Sequence, residues 1–309
     1  MIGDNTDLTS IIRREAFRLG FLDCGFSRVK PLLEIENSYH AWLAKGYHAG
    51  MDYMARNNDK RLDPSLLVPG AKSVISLLYN YYPSQEISSP LIVAKYAYGE
   101  DYHDVVKGKL FQLDAFIRIS NDDAEQRCFV DSAPVLERFW AQNSGLGWMG
   151  KNSCLISRKH GSFFFIAEII TSLELQYDEP FARDYCGTCQ RCIEACPTGA
   201  ITPNRTVDSN RCISYQTIEN KSEIPTELEG KFQNRIFGCD ICQDVCPWNR
   251  KVKPHSEPSF LPNEKLRSMT SADWQNLDKD TFRQLFRKSA VKRAKYAGLK
   301  RNIDFVKGD

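Results

Sequence analysis

Eight of the eleven cysteines in this 309-residue chain fall between Cys186 and Cys246. The first run is Cys186-x2-Cys189-x2-Cys192-x3-Cys196-Pro197. The second is Cys239-x2-Cys242-x3-Cys246-Pro247, with Cys212 isolated upstream. Thiolates spaced two residues apart reach neighbouring corners of one iron–sulfur cube. In two-cluster ferredoxins the cysteine before proline is carried away to ligate the other cube. That rule assigns Cys186, Cys189, Cys192 and Cys246 to one [4Fe–4S] cluster. It assigns Cys239, Cys242, Cys212 and Cys196 to a second, with no cysteine of the region left over. Structural zinc sites typically use two C-x2-C knuckles, and need neither three cysteines in one run nor a Cys-Pro. Two clusters make a path for single electrons.

The rest of the composition narrows the setting. At roughly 150 residues per domain the length suggests two domains. Hydrophobic residues are 42% and charged residues 26%, as in ordinary globular chains. The net charge of +2 creates no strong global field. No apolar run approaches the ~18 residues needed to span a bilayer. The start, MIGDNTDLTS, shows no secretory or twin-arginine leader. A cytoplasmic protein with no membrane partner is expected. Cysteines crowded in a reducing compartment mean metal or redox chemistry rather than disulfides. Cys24, Cys128 and Cys154 are scattered and read as small buried hydrophobes.

Patterns upstream of the cysteines predict a layered α/β domain. Helices are expected from Thr9 or Ser10 to Leu19, Tyr39 to Ala44, Asp104 to Ile119 and Pro134 to Gln142. Strands are expected at Ser73–Tyr79, Arg127–Asp131 and Ser162–Ile170. Lys251 to Pro262, with three prolines, reads as a linker, and the tail from Thr270 is helical in pattern.

Three further features bear on chemistry. Gly145-Leu-Gly147-Trp-Met-Gly150 matches G-x-G-x-x-G, but a helix precedes it and a loop and strand follow. This inverts the dinucleotide context. It leaves either a tight turn or a loop whose backbone approaches something flat or bulky. Asp131 stands at a strand end before a helix, a place for both ordinary helix-start residues and ligand sites. From Arg283 to Arg301 eight basic residues occur with no acid between Asp280 and Asp304, so the rest of the chain carries a net −6. Phe282, Leu285 and Phe286 give this run an apolar face, and Gly298 is expected to stop its second helix.

Several stretches together resemble the epoxyqueuosine reductase family, which completes the modified tRNA nucleoside queuosine. They are Gly46–Met54, Tyr96–His103, Val130–Glu137, Gly145–Asn152, both cysteine motifs and Val291–Lys295. The resemblance implies a nitroreductase-like cobalamin-binding domain, related to reductive dehalogenases, followed by a ferredoxin-like domain with two [4Fe–4S] clusters and a helical basic tail. It makes Asp131 the proton donor beside the corrin. It lines the cobalamin site with Arg56, Tyr96, Lys151, Asn152 and Ser153, and puts Ser214, Gln216 and Asp240 between cofactor and cluster. It implies base-off cobalamin without a protein histidine ligand. The nearest D-x-H-x-x-G string, Asp101-Tyr-His103-Asp-Val-Val106, lacks the glycine, and His103 reads as a helix-start residue. The implied partners are tRNA carrying epoxyqueuosine and an external flavodoxin- or ferredoxin-like electron donor. In this company the basic run reads as a phosphate-contacting face through Lys292, Arg293 and Lys295.

The expected organisation is residues 1–175 for cobalamin and catalysis, 176–260 for the clusters and 261–309 for the tail. Some family members continue into a helical-repeat segment, whereas this sequence runs to Asp309, which leaves part of the RNA surface in question. Two other functions share these features. A pure electron carrier would hold no cobalamin. A reductive dehalogenase would share the cofactors, is usually exported through a twin-arginine leader, and needs no basic RNA surface.

Overall fold

A computed structural model describes residues 5–119 and 121–307. Met1–Asp4 and Gly308–Asp309, part of the stretches read above for a leader and for the chain end, lie outside the described residues. The first part of the chain runs α1 (Asn5–Arg18), β1 (Asp23–Arg28), α2 (Leu33–Ala44), α3 (Asp52–Ala55), α4 (Asn58–Leu62), β2 (Ser73–Asn80) and β3 (Ile92–Val93). It continues through α5 (Tyr102–Ile119), β4 (Gln126–Phe129), α6 (Glu137–Asn143), β5 (Trp148–Met149), β6 (Leu155–Ile156) and β7 (Phe164–Thr171). The cysteine region holds α7 (Arg191–Glu194), α8 (Ile213–Ile218), β8 (Arg235–Phe237) and α9 (Ile241–Asp244). The tail holds α10 (Glu264–Arg267), α11 (Ser271–Gln275), α12 (Lys279–Phe286) and α13 (Lys295–Lys307).

The main sheet has the order β1-β2-β7-β4, and every pairing in it is antiparallel. The strands are apolar on both faces because helices cover both. Helices α1 and α5 pack on one face and α6 on the other. Ile75, Leu77, Tyr79, Phe165, Ala167 and Ile169 fill the first interface. Val74, Phe129, Ile170 and Trp140 share one cluster of the second, and Leu78, Ala141 and Phe164 another. Gly25 lets α6 approach: a Cβ there would lie 2.0 Å from the carbonyl oxygen of Ser144. Only glycine tolerates such a crossing.

Several predicted boundaries move. Helix α1 starts before Thr9, whose hydroxyl accepts the Gln176 amide at 2.9 Å instead of capping the helix. Helix α2 begins at Leu33, six residues ahead of Tyr39. Strand β4 ends at Phe129, and α6 begins only at Glu137, so Asp131 lies in the connection rather than at a helix cap. Gly298 does not stop a helix: it lies inside α13.

The stretch read as a linker is instead a strap across the first domain. His255 donates its amide to the Tyr82 carbonyl, Tyr79 donates its hydroxyl to Glu257 at 2.7 Å, and Phe260 is buried against Phe165. Strand β3 pairs in parallel with β8 of the cysteine region. The fully buried amide of Asn302 donates to the carbonyls of Thr217 and Ile236. One apolar cluster runs from Ile12 to Val306, so the three segments share a continuous core. Among the described residues no helix is long and apolar enough to cross a membrane.

Candidate active site

Asp131 adopts a left-handed backbone at φ 46°. Aspartate tolerates this conformation better than most residues, and it aims the side chain out of the strand line. The carboxylate is 64% exposed, at the mouth of the site. Its Oδ2 accepts the hydroxyl of Tyr102, and His103 Nε2 lies 3.9 Å away. Tyr102 is pinned face to face on Phe165, with ring centroids 4.2 Å apart and planes 6° from parallel. His103 stacks on the other side of Tyr102 at 4.1 Å. Two residues from the start of α5 are thereby held against Asp131 by an aromatic column rooted in β7.

Behind this column stands Asp101, whose Oδ1 bonds His103 Nδ1 at 2.8 Å and whose Oδ2 meets Lys292 Nζ at 2.9 Å. Burial works against charge on Asp101, but the bonds from His103 and Lys292 outweigh it and hold the carboxyl below the usual range. Burial likewise disfavours charge on His103, and Asp101 and then Asp131 reverse that, so its pKa is raised. His103 is thus a helix-start residue, as expected, and also a member of the site. No sequence signal marked its side chain as facing Asp131.

A second carboxyl group touches Asp131 from below. The Asp131 amide donates to Glu137 Oε1 at 2.5 Å. Burial, reinforced by Asp131, pushes Glu137 up to about 8. Glu168, in the middle of β7, is fully buried, and neither carboxyl oxygen has a hydrogen-bond partner. Burial, then Glu137 and Asp131, push its pKa well above the usual value. An ionised carboxylate cannot be sustained in such surroundings, so Glu168 is a neutral acid. The places of Tyr102, His103, Glu137 and Glu168 around Asp131 all escaped the sequence reading.

The cysteines gather in two crossed sets. Cys192 interacts electrostatically with Cys186, Cys246 and Cys189. Cys212 interacts with Cys196, and Cys242 with Cys239 and Cys212. Donors point at several of the sulfurs: Trp148 Nε1 at Cys186 (3.4 Å) and the Ala200 amide at Cys196 (3.3 Å). Burial and neighbouring thiols push Cys192 up to about 11, and burial pushes Cys239 up to about 12. Such thiols are deprotonated readily only beside a strong positive charge, which iron supplies. Among the described residues no three His, Cys, Asp or Glu side chains converge on a single-ion position. The scattered cysteines divide. Cys24 is a buried hydrophobe as expected, whereas Cys154 lies against Cys242 and is not merely filler.

Tyr96 packs edge-on to Tyr102 at 6.0 Å and lies beside Gly238, the neighbour of Cys239, and burial with the charges of Asp131 and Asp240 pushes its pKa up. Asp240 is buried and its carboxyl is pushed up to about 6, while its Oδ2 accepts the Lys95 amide at 2.8 Å. Lys95 is itself buried and bridges to Asp244 at 2.8 Å. Asn152 donates to the Cys242 carbonyl at 3.4 Å. Lys151 Nζ reaches the Gly187 carbonyl at 2.8 Å, and Ser153 Oγ the Arg205 carbonyl at 2.6 Å. The loop 151–153 therefore joins both cysteine sets. Gln216 has its side chain bonded to Asn210 and Asn220, and Ser214 stands beside Cys212 on α8. Arg56 is exposed at the end of α3.

The glycine-rich loop resolves toward the tight turn. A Cβ on Gly147 would lie 2.2 Å from the Ile156 carbonyl oxygen, because β5 and β6 close into a hairpin there. In the tail, Lys292 is paired with Asp101, and Arg293 makes a fork to Glu219 at 2.8 and 3.1 Å. Lys295 follows at φ 59°. Tyr53, from α3, feels both Asp131 and Arg293, so the basic segment borders the mouth of the Asp131 site.

Fold and site together define a protein with a cysteine-rich region of the iron–sulfur kind and a mixed α/β layer that carries an exposed acid. The "4Fe-4S double cluster binding domain" family matches residues 185–249, and "Epoxyqueuosine reductase QueG, DUF1730" matches residues 61–132. An epoxyqueuosine reductase of Cellulophaga algicola is 56% identical over 97% of this chain and 98% of its own length. An epoxyqueuosine reductase crystallised with an epoxyqueuosine-modified tRNA stem loop is 28% identical, covers 98% of this chain and 81% of that one, and superposes with a TM-score of 0.91. A catabolic reductive dehalogenase shares the fold alone, at 15% identity over 99% of this chain and 38% of that one, with a TM-score of 0.51. The chain belongs to the epoxyqueuosine reductase family.

Proposed function

We propose that this enzyme reduces the epoxide of epoxyqueuosine in tRNA to the alkene of queuosine, with two [4Fe–4S] clusters and cobalamin as its cofactors and Asp131 as the proton donor. The reaction balances as epoxide plus two electrons plus two protons giving alkene plus water. The observation that carries the reading is Asp131 held by Tyr102 and His103, with Tyr96 packed against both Tyr102 and Gly238, the neighbour of Cys239. Family membership supplies the substrate class.

The crossed cysteines fit two cubes better than zinc, since the thiols gather in fours without a single-ion centre. The region around Tyr96, Asn152, Ser153, Ser214 and Asp240, with Arg56 and Lys151 beside it, would hold cobalamin. Gln216 serves there chiefly by bracing α8, because its amide is already satisfied. Cobalamin supplies low-valent cobalt able to deliver two electrons to a carbon–oxygen bond. The protein orients the nucleoside, excludes water and moves protons. Opening the epoxide develops negative charge on oxygen, and a carboxylic acid at that oxygen discharges it. Tyr102 and His103 fix the Asp131 carboxyl for this transfer. Lys292, Arg293 and Lys295 border the same mouth, where backbone phosphates of the anticodon arm would lie while the modified base leaves its stack. Residues 1–175, 176–260 and 261–309 would divide these tasks while sharing one core.

The test is anaerobic turnover of a tRNA stem loop carrying epoxyqueuosine. Asp131→Asn is expected to keep both clusters and lose about 10²–10⁴-fold in kcat. Near-normal turnover by the loaded variant would return Asp131 to a structural role. Failure of the wild-type enzyme to reduce the epoxide would overturn the reading itself.

A further inference from the structure

The reaction needs two electrons from outside the chain, and they must enter somewhere. The cysteine run that starts at Cys239 stands beside Tyr96, on the side of the Asp131 site. The run that starts at Cys186 lies at the surface instead. Cys186, Cys189 and Cys192 are partly exposed, and Gly187, Thr188, Gln190 and Arg191 between them are exposed. A Cβ on Gly187 would meet nothing within 4 Å, so the loop from Cys186 to Cys189 faces open solvent. Next to this loop the ring of Tyr185 packs edge-on to Trp148 at 5.3 Å and to Trp248 at 5.7 Å. Cations converge on these rings. Arg158 sits over the Tyr185 ring at 5.5 Å. Its turn packs on the turn after Trp248: a Cβ on Gly161 would lie 2.2 Å from Asn249 Oδ1 and 2.5 Å from Val252 Cγ2. The two touching turns bring Lys159, Arg250 and Lys251 beside Arg158, while Arg183 and Arg191 flank Tyr185 and Cys192 in the chain. All six cations are exposed, and among the described residues none of them forms an ion pair. Nearby, Asp184 is already bound to Arg205 and to the Cys186 amide, and Asp23 faces His160. Glu179 and Glu194 oppose the six.

We propose that this face docks a small acidic one-electron carrier protein, which delivers electrons at the Cys186–Cys192 loop. The proposal rests on the reading in which the clusters pass electrons inward to the epoxide site. In each encounter the reduced carrier is oxidised by one electron and the cluster of Cys186, Cys189, Cys192 and Cys246 is reduced by one. No bond forms or breaks, and two encounters supply one turnover. Electron transfer slows steeply with distance, so the carrier must approach where the cover over the cysteines is thinnest. The aromatic rings give it a contact surface. The unpaired cations around them steer an acidic partner, and no existing ion pair has to be broken. Redox encounters of this kind bury little area, and charge complementarity sets their rate. RNA phosphate is the other polyanion that cations attract. The basic tail, however, reaches the Asp131 site through Lys292, Asp101 and His103, whereas this face borders the first cysteine run.

The test follows electrons into the anaerobic holoenzyme and needs no tRNA. Flavodoxin hydroquinone, an acidic carrier, is mixed with the protein at low salt, and the loss of cluster absorbance is recorded with the growth of the flavin semiquinone. The wild-type rate should fall as salt is added. Arg158→Glu with Arg250→Glu should keep its iron and its reduction by dithionite, and should react with flavodoxin about tenfold more slowly at low salt. Lys265→Glu with Lys279→Glu changes the net charge equally on α10 and α12, and should react at the wild-type rate. No reduction of the wild type by flavodoxin overturns the proposal, as do equal rates and salt slopes for the wild type and the Arg158 and Arg250 variant. Loss of stem-loop binding by that variant, with its flavodoxin reaction unchanged, would make the face part of the RNA surface and also overturn the proposal. If dithionite-reduced wild type left the epoxide intact, the functional reading would fail separately, and the flavodoxin rates would still report on this face.

Discussion

The cysteine region and the Asp131 site hold their chemistry by opposite means. Each cysteine set is built largely from short local spacings, on α7, on α9 and in the turns beside them. In the proposed ligand sets the crossing of the fourth cysteine follows from two Cys-Pro steps. The Asp131 site draws on the start of α5, the end of β4, the first turn of α6 and the middle of β7, from residue 101 to residue 168. Removing a piece of the first should empty a whole cofactor site. Removing a piece of the second should grade the chemistry without unfolding the protein.

The largest effect should come from the region with local spacing. Cys212→Ala, which removes the one proposed ligand outside both cysteine runs, should lower iron from about eight to about four atoms per chain and abolish turnover. Iron and sulfide analysis of anaerobically purified protein checks this. Retention of eight irons would mean that Cys154, which lies against Cys242, has taken its place.

A smaller effect concerns the acid layer. Glu137 is raised to about 8 from an ordinary value of 4.5. The folded protein therefore holds a proton that the unfolded chain has released. Its contribution to stability is fully present below about pH 4.5 and is lost as pH rises toward 8. Glu137→Gln should flatten the fall in denaturation midpoint between pH 5 and 8 relative to the wild type. Parallel curves for the two proteins would show that Glu137 ionises normally.

The smallest effect belongs to the tail. Arg293→Gln with Lys295→Gln should weaken stem-loop binding and reduce its salt dependence, by roughly one unit of slope for each phosphate that is no longer neutralised. Lys292→Gln should do more than that, because Lys292 also anchors Asp101 and, through it, His103. A pure binding defect for Lys292→Gln would uncouple the RNA face from the acid, and an unchanged slope for the pair would remove the RNA face altogether.

Much of this was visible in the residues alone. The strands around 75 and 165 showed as apolar runs because helices cover both sheet faces. The cysteine motifs showed because an iron–sulfur cube imposes its own spacing on neighbouring residues. Asp131 showed only as an acid at a strand end. Lys251–Pro262 misled because prolines mark irregular backbone, and irregular backbone can still be packed, as Phe260 and Glu257 are.

Local order in the chain suffices where chemistry demands fixed short intervals, and so the iron–sulfur character of the cysteine region and the family could be read from one sequence. The acid layer had no such interval. Glu168 looks like a polar slip in a hydrophobic strand until the register sets it opposite Ser76 and Phe129 and α6 closes over it. Tyr102 and His103 look like a helix start until Phe165, from a strand more than sixty residues on, gives Tyr102 a surface to stack against and Tyr102 gives one to His103. Burial and proximity are properties of packed elements, and they alone turn ordinary glutamates into neutral acids and hold an exposed aspartate in place above them.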